Sequence, residues 1–225
     1  MEMLFIKWSL CFALLLPPIV LSAQTDNDEQ KQSSPVIMEI LVGNDGYASQ
    51  MIINKGFSAI PRLGFFSVTN ISSSWGEKLS QDAMNQINLK YDFFKGMGVF
   101  GGVHYTPVTG LRPTTALMYT KGSGTFVFMV SPRLIGFNEG GIIEGFAMVE
   151  YKPTINENWS IYSRLQGLYN QTISDGNHAR SYLMLRTGVS YKDFSFGLGA
   201  NWDAFGAEKI TKENYGVFLS ANLFN

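Results

Sequence analysis

The sequence predicts an all-β protein, an antiparallel up-and-down transmembrane β-barrel of about 12 strands built from residues 35–225. Three observations carry this. Segments of alternating apolar and polar residues, bounded by Gly, Pro, Asn and Asp, recur along the chain at the spacing of an all-β fold. From the third onward, the connections between them alternate long with short, as in barrels with tight turns on one side of a membrane and extended loops on the other. Finally, the apolar face of each well-defined strand is almost free of charge, whereas the polar face carries charge at mid-strand.

Residues 1–23 precede that domain. Lys7, an apolar stretch over 10–21 and the small pair Ser22 and Ala23 read as a secretory signal peptide cleaved near Ala23. A membrane anchor needs roughly 20 apolar residues, and Pro17 with Pro18 interrupts this shorter run. Gln24 stands where a lipid-anchoring signal would require Cys. The only cysteine, Cys11, falls inside the signal, so the remaining chain has no thiol, disulfide or Cys-based metal site. Residues 24–34, QTDNDEQKQSS, are polar and read as a flexible leader.

The strands are expected at 36–43, 47–54, 62–71, 82–93, 97–106, 112–120, 124–133, 141–153, 157–170, 180–191, 193–203 and 214–224. The turns near Asn44, at Lys95 and Gly96, at 121–123, near Asn156, and at Lys192 and Asp193 are tight. NISSSWGEKLSQ, PVTGLR, LIGFNEG, TISDGNHA and AFGAEKITKEN are longer. An even strand count puts both ends of the barrel domain on one side. A soluble ligand-binding barrel would need only about eight strands and leave this chain with excess sheet.

The faces decide which side meets water. In 141–153, Ile143, Gly145, Ala147, Val149 and Tyr151 oppose Glu144, Phe146, Met148, Glu150 and Lys152. In 180–191, Leu183, Leu185, Val189 and Tyr191 oppose Tyr182, Met184, Arg186 and Ser190; in 193–203, Phe194, Phe196, Leu198, Ala200 and Trp202 oppose Ser195, Gly197, Gly199 and Asn201. A lipid-facing Arg or Lys at the bilayer centre costs roughly 2–4 kcal/mol. A face turned to bulk water has no reason to mix Phe146, Met148 and Met184 among its charges. The polar faces are therefore expected to line a lumen that is partly wet and partly packed.

Aromatic residues on the outward parity fall at strand ends. Tyr91, Phe93, Tyr119, Tyr151, Trp159, Tyr191 and Phe194 are expected at the end that holds the termini, and Tyr105, Tyr169, Trp202 and Tyr215 at the other. They read as two interfacial girdles, where amphipathic rings favour the headgroup level.

With the signal peptide, the alternating strands and the closing segment NYGVFLSANLFN, residues 36–225 resemble the small single-chain outer-membrane β-barrel proteins of Gram-negative bacteria. The resemblance implies an outer-membrane location, a periplasmic leader at 24–34, outer-membrane lipid and the outer-membrane assembly machinery as partners, and a monomer. Members of that class often end on a Phe that aids assembly. Here Phe224 is followed by Asn225 and falls on the inward parity.

Inside the barrel, Arg164 and Arg186 are expected at similar heights on neighbouring strands, with Glu144 and Glu150 beside Arg164; Lys90 and Asp92 face the lumen near the periplasmic end. Two readings stay open. The cluster is either a charged constriction selecting small polar solutes in a narrow channel, or an internal ion-pair network in a plugged, structural barrel whose loops 71–81, 171–179 and 204–213 meet partners outside the cell. Catalysis is not expected. His104 and His178 lack partners at metal-ligand spacing, no Ser is placed beside a His as a nucleophile, and no Gly-rich segment leads into a helix as a phosphate loop does. No cofactor is implied. A net charge of −1 gives no reason to expect a nucleic-acid partner.

Overall fold

The computed structural model describes residues 35–76, 82–138 and 140–224, so the expected signal peptide and leader lie outside the described residues. Twelve strands follow one another: β1 (Val36–Gly43), β2 (Gly46–Gly56), β3 (Leu63–Ser74), β4 (Asp82–Phe94), β5 (Met97–Thr106), β6 (Gly110–Gly122), β7 (Phe126–Ile135), β8 (Ile142–Tyr151), β9 (Trp159–Thr172), β10 (His178–Tyr191), β11 (Phe194–Phe205) and β12 (Ile210–Leu223). Each pairs with its sequence neighbours, and β12 returns to β1, from Val36 opposite Leu223 to Gly43 opposite Gly216. Closure leaves no strand with an unpaired edge, which is what allows a sheet to stand in a medium that offers no hydrogen bonds.

The expected alternation of loop lengths is largely absent. Strands run on into the segments expected as long loops, leaving 107–109 between β5 and β6 and 206–209 between β11 and β12. The residues extend the ladder because they pair: Trp202 stands opposite Glu213, and Asp203 opposite Lys212. His178, expected in a loop, heads β10, with its ring nitrogens 2.6 Å from the Gly206 carbonyl oxygen and 2.9 Å from Ser181 Oγ. Conversely, the turn at Asn156, expected to be tight, spans 152–158. There Asn156 Oδ1 accepts from the backbone amides of Asn158 and Trp159, each at 3.0 Å.

Exposure alternates with the pleat, and the polarity is the inverse of a soluble protein. Met38, Ile40, Val42, Ile87, Leu89, Ile143, Ile161, Leu165, Leu183, Leu185, Phe196, Leu198, Val217 and Leu219 are all exposed, while Glu39, Gln86, Asn88, Arg164, Gln166, Arg186 and Asn201 are buried. Burial is in the lumen, where side chains from the whole ring meet. Two clusters fill part of it. Phe66, Val68, Phe100, Ala116 and Met118 pack together from β3, β5 and β6. Leu41, Tyr162 and Phe218 pack together from β1, β9 and β12.

Phe224 corrects the expected inward position: it lies beyond β12 with φ 59° and is 76% exposed. Phe93 is the other parity change. Asp92 pairs with Gly98 but Phe94 pairs with Met97, so the strand is irregular between them. The extra residue brings Phe94 to the outer surface at 69% exposure, and Phe93 packs edge-on against it at 5.5 Å.

The seam between β1 and β12 depends on glycine. A Cβ on Gly216 would lie 2.0 Å from the Val42 carbonyl oxygen and 2.4 Å from Gly43 Cα. Gly216→Val therefore has to push the two strands apart. A loss of about 1–3 kcal/mol, the usual range for overpacking, is expected as a lower urea midpoint in lipid vesicles, with a smaller fraction showing heat-modifiable migration on gels. An unchanged midpoint would show that the seam has slack.

Candidate functional site in the lumen

A single carboxylate organises one side of the lumen. Glu39 on β1 is 3% exposed, and Arg164 Nη2 donates to its two oxygens at 2.8 and 2.7 Å. Arg186 Nε donates to the same carboxylate at 2.9 Å, while its Nη1 donates to the carbonyl oxygens of Leu185 and Ala200 and to Asn201 Oδ1. In strand order β1 is three places from β10 and four from β9, so these side chains reach across the inner face of β11 and β12. That face is paved with small residues. Ser190, Ser195 and Ser220 line up beside Glu39, and Gly188 and Gly197 lie beside Phe218. A Cβ on Gly199 would be 3.1 Å from Arg186 Cδ and 2.7 Å from Leu41 Cδ1. Gly199 and the serines thus make the space in which the ion-pair triad sits.

Two of the residues expected to form one cluster therefore do meet, through a third that was not foreseen. Arg164 stands opposite Arg186 in register, and Glu150 opposite Arg164. Glu150 accepts a hydrogen bond from the Tyr162 hydroxyl at 3.2 Å. Glu144 is not part of the triad. It stands opposite Asn170, 3.7 Å from Arg133 Nε, and accepts from Asn170 Nδ2 at 3.5 Å. Lys90 and Asp92 pair with each other at 3.3 Å, nearer the end that holds the termini. A further pair joins Arg180 to Asp82 at 2.7 Å and to Asp203 at 2.9 Å at the opposite mouth.

Glu39, Asp82, Arg133, Arg180 and Asp203 were thus missed by reasoning from the sequence. A signal existed for Glu39. It is the lone charge in VIMEILVG, and a buried mid-strand carboxylate requires a cationic partner. Nothing local names that partner, which lies 125 and 147 residues away.

Two cavities occupy the remaining lumen. One of about 910 Å³ opens at the mouth formed by the turns 44–45, 107–109 and 206–209. The other, about 220 Å³, lies toward the termini between Phe66, Met118 and Phe146 on one flank and Tyr162, Arg164 and Gln166 on the other. Asn70, Met84, Glu144, Leu168 and Tyr182 line both. Several residues that line them carry a buried polar atom with no protein partner: Gln50 Oε1, Asn54 Oδ1, Gln86 Oε1, Gln166 Oε1, Asn170 Oδ1 and His104 Nδ1. Among the described residues, no group of three or more His, Cys, Asp or Glu is placed to hold a metal ion.

On the outer surface, Tyr91, Tyr119, Tyr151, Trp159, Tyr191 and Phe194 are exposed around the end that holds the termini, and Tyr105, Tyr169 and Tyr215 around the other. Trp202 is half-buried, its ring 5.8 Å from Tyr215 and its Nε1 donating to the Tyr215 hydroxyl. Trp159 stacks with Tyr191 at 4.8 Å.

With this geometry in place, comparison with known proteins bears on the fold. No family model and no curated protein matches the sequence. Among solved structures, the NanC porin is 13% identical, with a TM-score of 0.50 over 85% of this chain and 100% of its own. By fold, the chain is a small outer-membrane-type β-barrel. The KdgM porin (12% identity, TM-score 0.44, covering 85% of this chain and 99% of its own) and LpxR from Salmonella typhimurium (9%, 0.41, 85% and 100%) are more distant.

The triad makes a stability prediction. Replacing Glu39 by Gln leaves two buried guanidiniums without their counter-charge, so Glu39→Gln is expected to destabilise the barrel by about 3–5 kcal/mol. Asp92→Asn, which breaks a partly exposed pair, should cost less than about 1 kcal/mol. Equilibrium urea unfolding in vesicles, followed by tryptophan fluorescence, checks the ranking, and equal effects would refute it.

Proposed function

We propose that this protein is an integral outer-membrane barrel acting as a narrow, water-filled channel for small polar solutes. The observation that carries the reading is the pair of adjoining cavities bordered by residues whose amide oxygens have no protein partner. A buried polar atom left without a hydrogen bond costs about 1–3 kcal/mol. Gln50, Asn54, Gln86, Gln166 and Asn170 carry such atoms along the lumen, from near the terminal end to the vestibule. Water in the cavities that these residues border is the partner within reach once their side chains turn toward the space, and continuous water through adjoining cavities is a path for small polar solutes.

The outer surface supports the location. Its exposed Leu, Ile, Val and Phe side chains would be unfavourable in water and are favourable against lipid, with rings of Tyr, Trp and Phe near both rims. The fold shared with a porin is consistent with this reading. The lumen residues divide by burial. Arg164 and Arg186, 4% and 2% exposed, hold the wall together through Glu39; Phe146 and Met148, half-buried, border the space left open.

One set of observations favours the alternative of a plugged, structural barrel. The Phe66 cluster, the Glu39 triad and the Arg180 pairs each place packed or paired side chains inside the lumen. On that reading the turns at the open mouth would meet surface partners.

Conductance in planar lipid bilayers separates the two. The channel reading expects a small, steady single-channel current from the folded protein. Phe146→Ala combined with Met148→Ala should increase it by removing side chains that border the 220 Å³ cavity. A correctly folded protein that stays silent in both forms would assign the barrel to the plugged class.

A further inference from the structure

The ion pair at the open mouth differs in kind from the other ion pairs of the lumen. In the ring of twelve, β4 and β10 stand six places apart in either direction and so form opposite walls. Arg180 on β10 nevertheless reaches Asp82 on β4 with two parallel bonds, Nη1 to Oδ1 at 2.7 Å and Nη2 to Oδ2 at 3.1 Å. The same Nη2 donates to Asp203 Oδ1 on β11 at 2.9 Å. Ser72 Oγ donates to Asp82 at 2.6 Å and steadies it. The guanidinium lies 4.9 Å from the Phe205 ring centre and 5.7 Å from that of Tyr182. The result is a bar across the mouth, with one strong point of attachment on each wall.

Its position is decisive. Along β9 and β10, Arg180 stands opposite Asn170 and Tyr182 opposite Leu168. Tyr182 and Leu168 are among the few residues that line both cavities. A solute moving from the vestibule to the inner cavity therefore passes beside the bar.

Its burial sets it apart too. The Arg180, Asp82 and Asp203 side chains keep 24%, 27% and 14% of their surface exposed, against 2–3% in the Glu39 triad. Deep pairs of the second kind break only with the fold. Water-exposed pairs are weak, and salt screens them. Two-pronged geometry holds Arg180 in place at rest, and rotation of one side chain releases it without disturbing the wall.

We propose that Arg180 is a latch across the mouth, closed on Asp82 and Asp203, that limits passage from the vestibule into the inner lumen. This deepens the channel reading and rests on it for its biological purpose, but it can be tested apart from conduction. With Cys11 changed to Ser, a single cysteine at Met148→Cys, which lines the inner cavity alone, reports access beneath the latch, and one at Ile37→Cys, at the terminal end of the inner cavity, serves as comparator. N-ethylmaleimide, being uncharged, is the probe, applied to the folded full chain in vesicles.

Arg180→Gln and Asp82→Asn are each expected to speed labelling at Met148→Cys about fivefold, the shift that follows loss of a partly exposed pair, while leaving labelling at Ile37→Cys unchanged. Glu157→Gln, on a turn at the opposite end, should change neither. In bilayers, the same two latch variants should increase the current. Unchanged labelling in folded Arg180→Gln and Asp82→Asn would overturn the latch, whatever the conductance. Faster labelling in a barrel that stays electrically silent would keep the latch and discard the channel.

Discussion

One carboxylate held by two guanidiniums sets the terms for half of the barrel. A charge as buried as Glu39 is tolerable only when it is fully paired, and its partners come from strands that the ring does not place beside it. For Arg164 and Arg186 to reach it, the intervening wall has to be thin. The serines at 190, 195 and 220 and Gly199 leave room for that, whereas Gly188, Gly197 and Gly216 let neighbouring backbones approach closely. The apolar residues Leu41, Tyr162 and Phe218 then close over the triad and keep water from competing for it.

Three of the sets of ion pairs form a graded series. Glu39 with its arginines is dry and ties strands of one side together. Arg133 with Glu144 is nearly as buried but looser, at 3.7 Å, and joins adjacent strands. Arg180 with Asp82 and Asp203 is half-wet and joins opposite walls. The same chemical pairing serves as staple or as latch according to the water around it, because solvent both weakens the attraction and supplies alternative partners when it breaks.

Between these ties the lumen is neither an open pore nor an apolar core. One flank is packed with Phe66, Val68, Phe100 and Met118, in ordinary hydrophobic fashion, with the rings of Phe66 and Phe100 edge to face at 5.1 Å. The other flank is ionic. Gln50, Gln86 and Gln166, each with an amide oxygen that has no protein partner, border the gap that remains between walls that are mostly apolar.

Much of the fold was legible in the sequence. The pleat has a period of two, so the inward or outward direction of a side chain is decided within each strand, and the alternation in β8 to β12 shows it directly. The twelve segments, the inward placement of Arg164 and Arg186 and the outward aromatics needed nothing beyond that local rule. Phe93 escaped it because an irregularity shifts the phase by one residue. Glu39 escaped it because β1 is apolar on both faces and offers no contrast to read. What only the tertiary structure decided is which inward groups meet. That depends on the relative heights of strands and on how close opposite walls come, which are set when the ring closes at β1 and β12. Glu39 meeting Arg186, and Arg180 meeting Asp82, are products of that closure, since no residue pattern within a strand encodes the distance across the lumen.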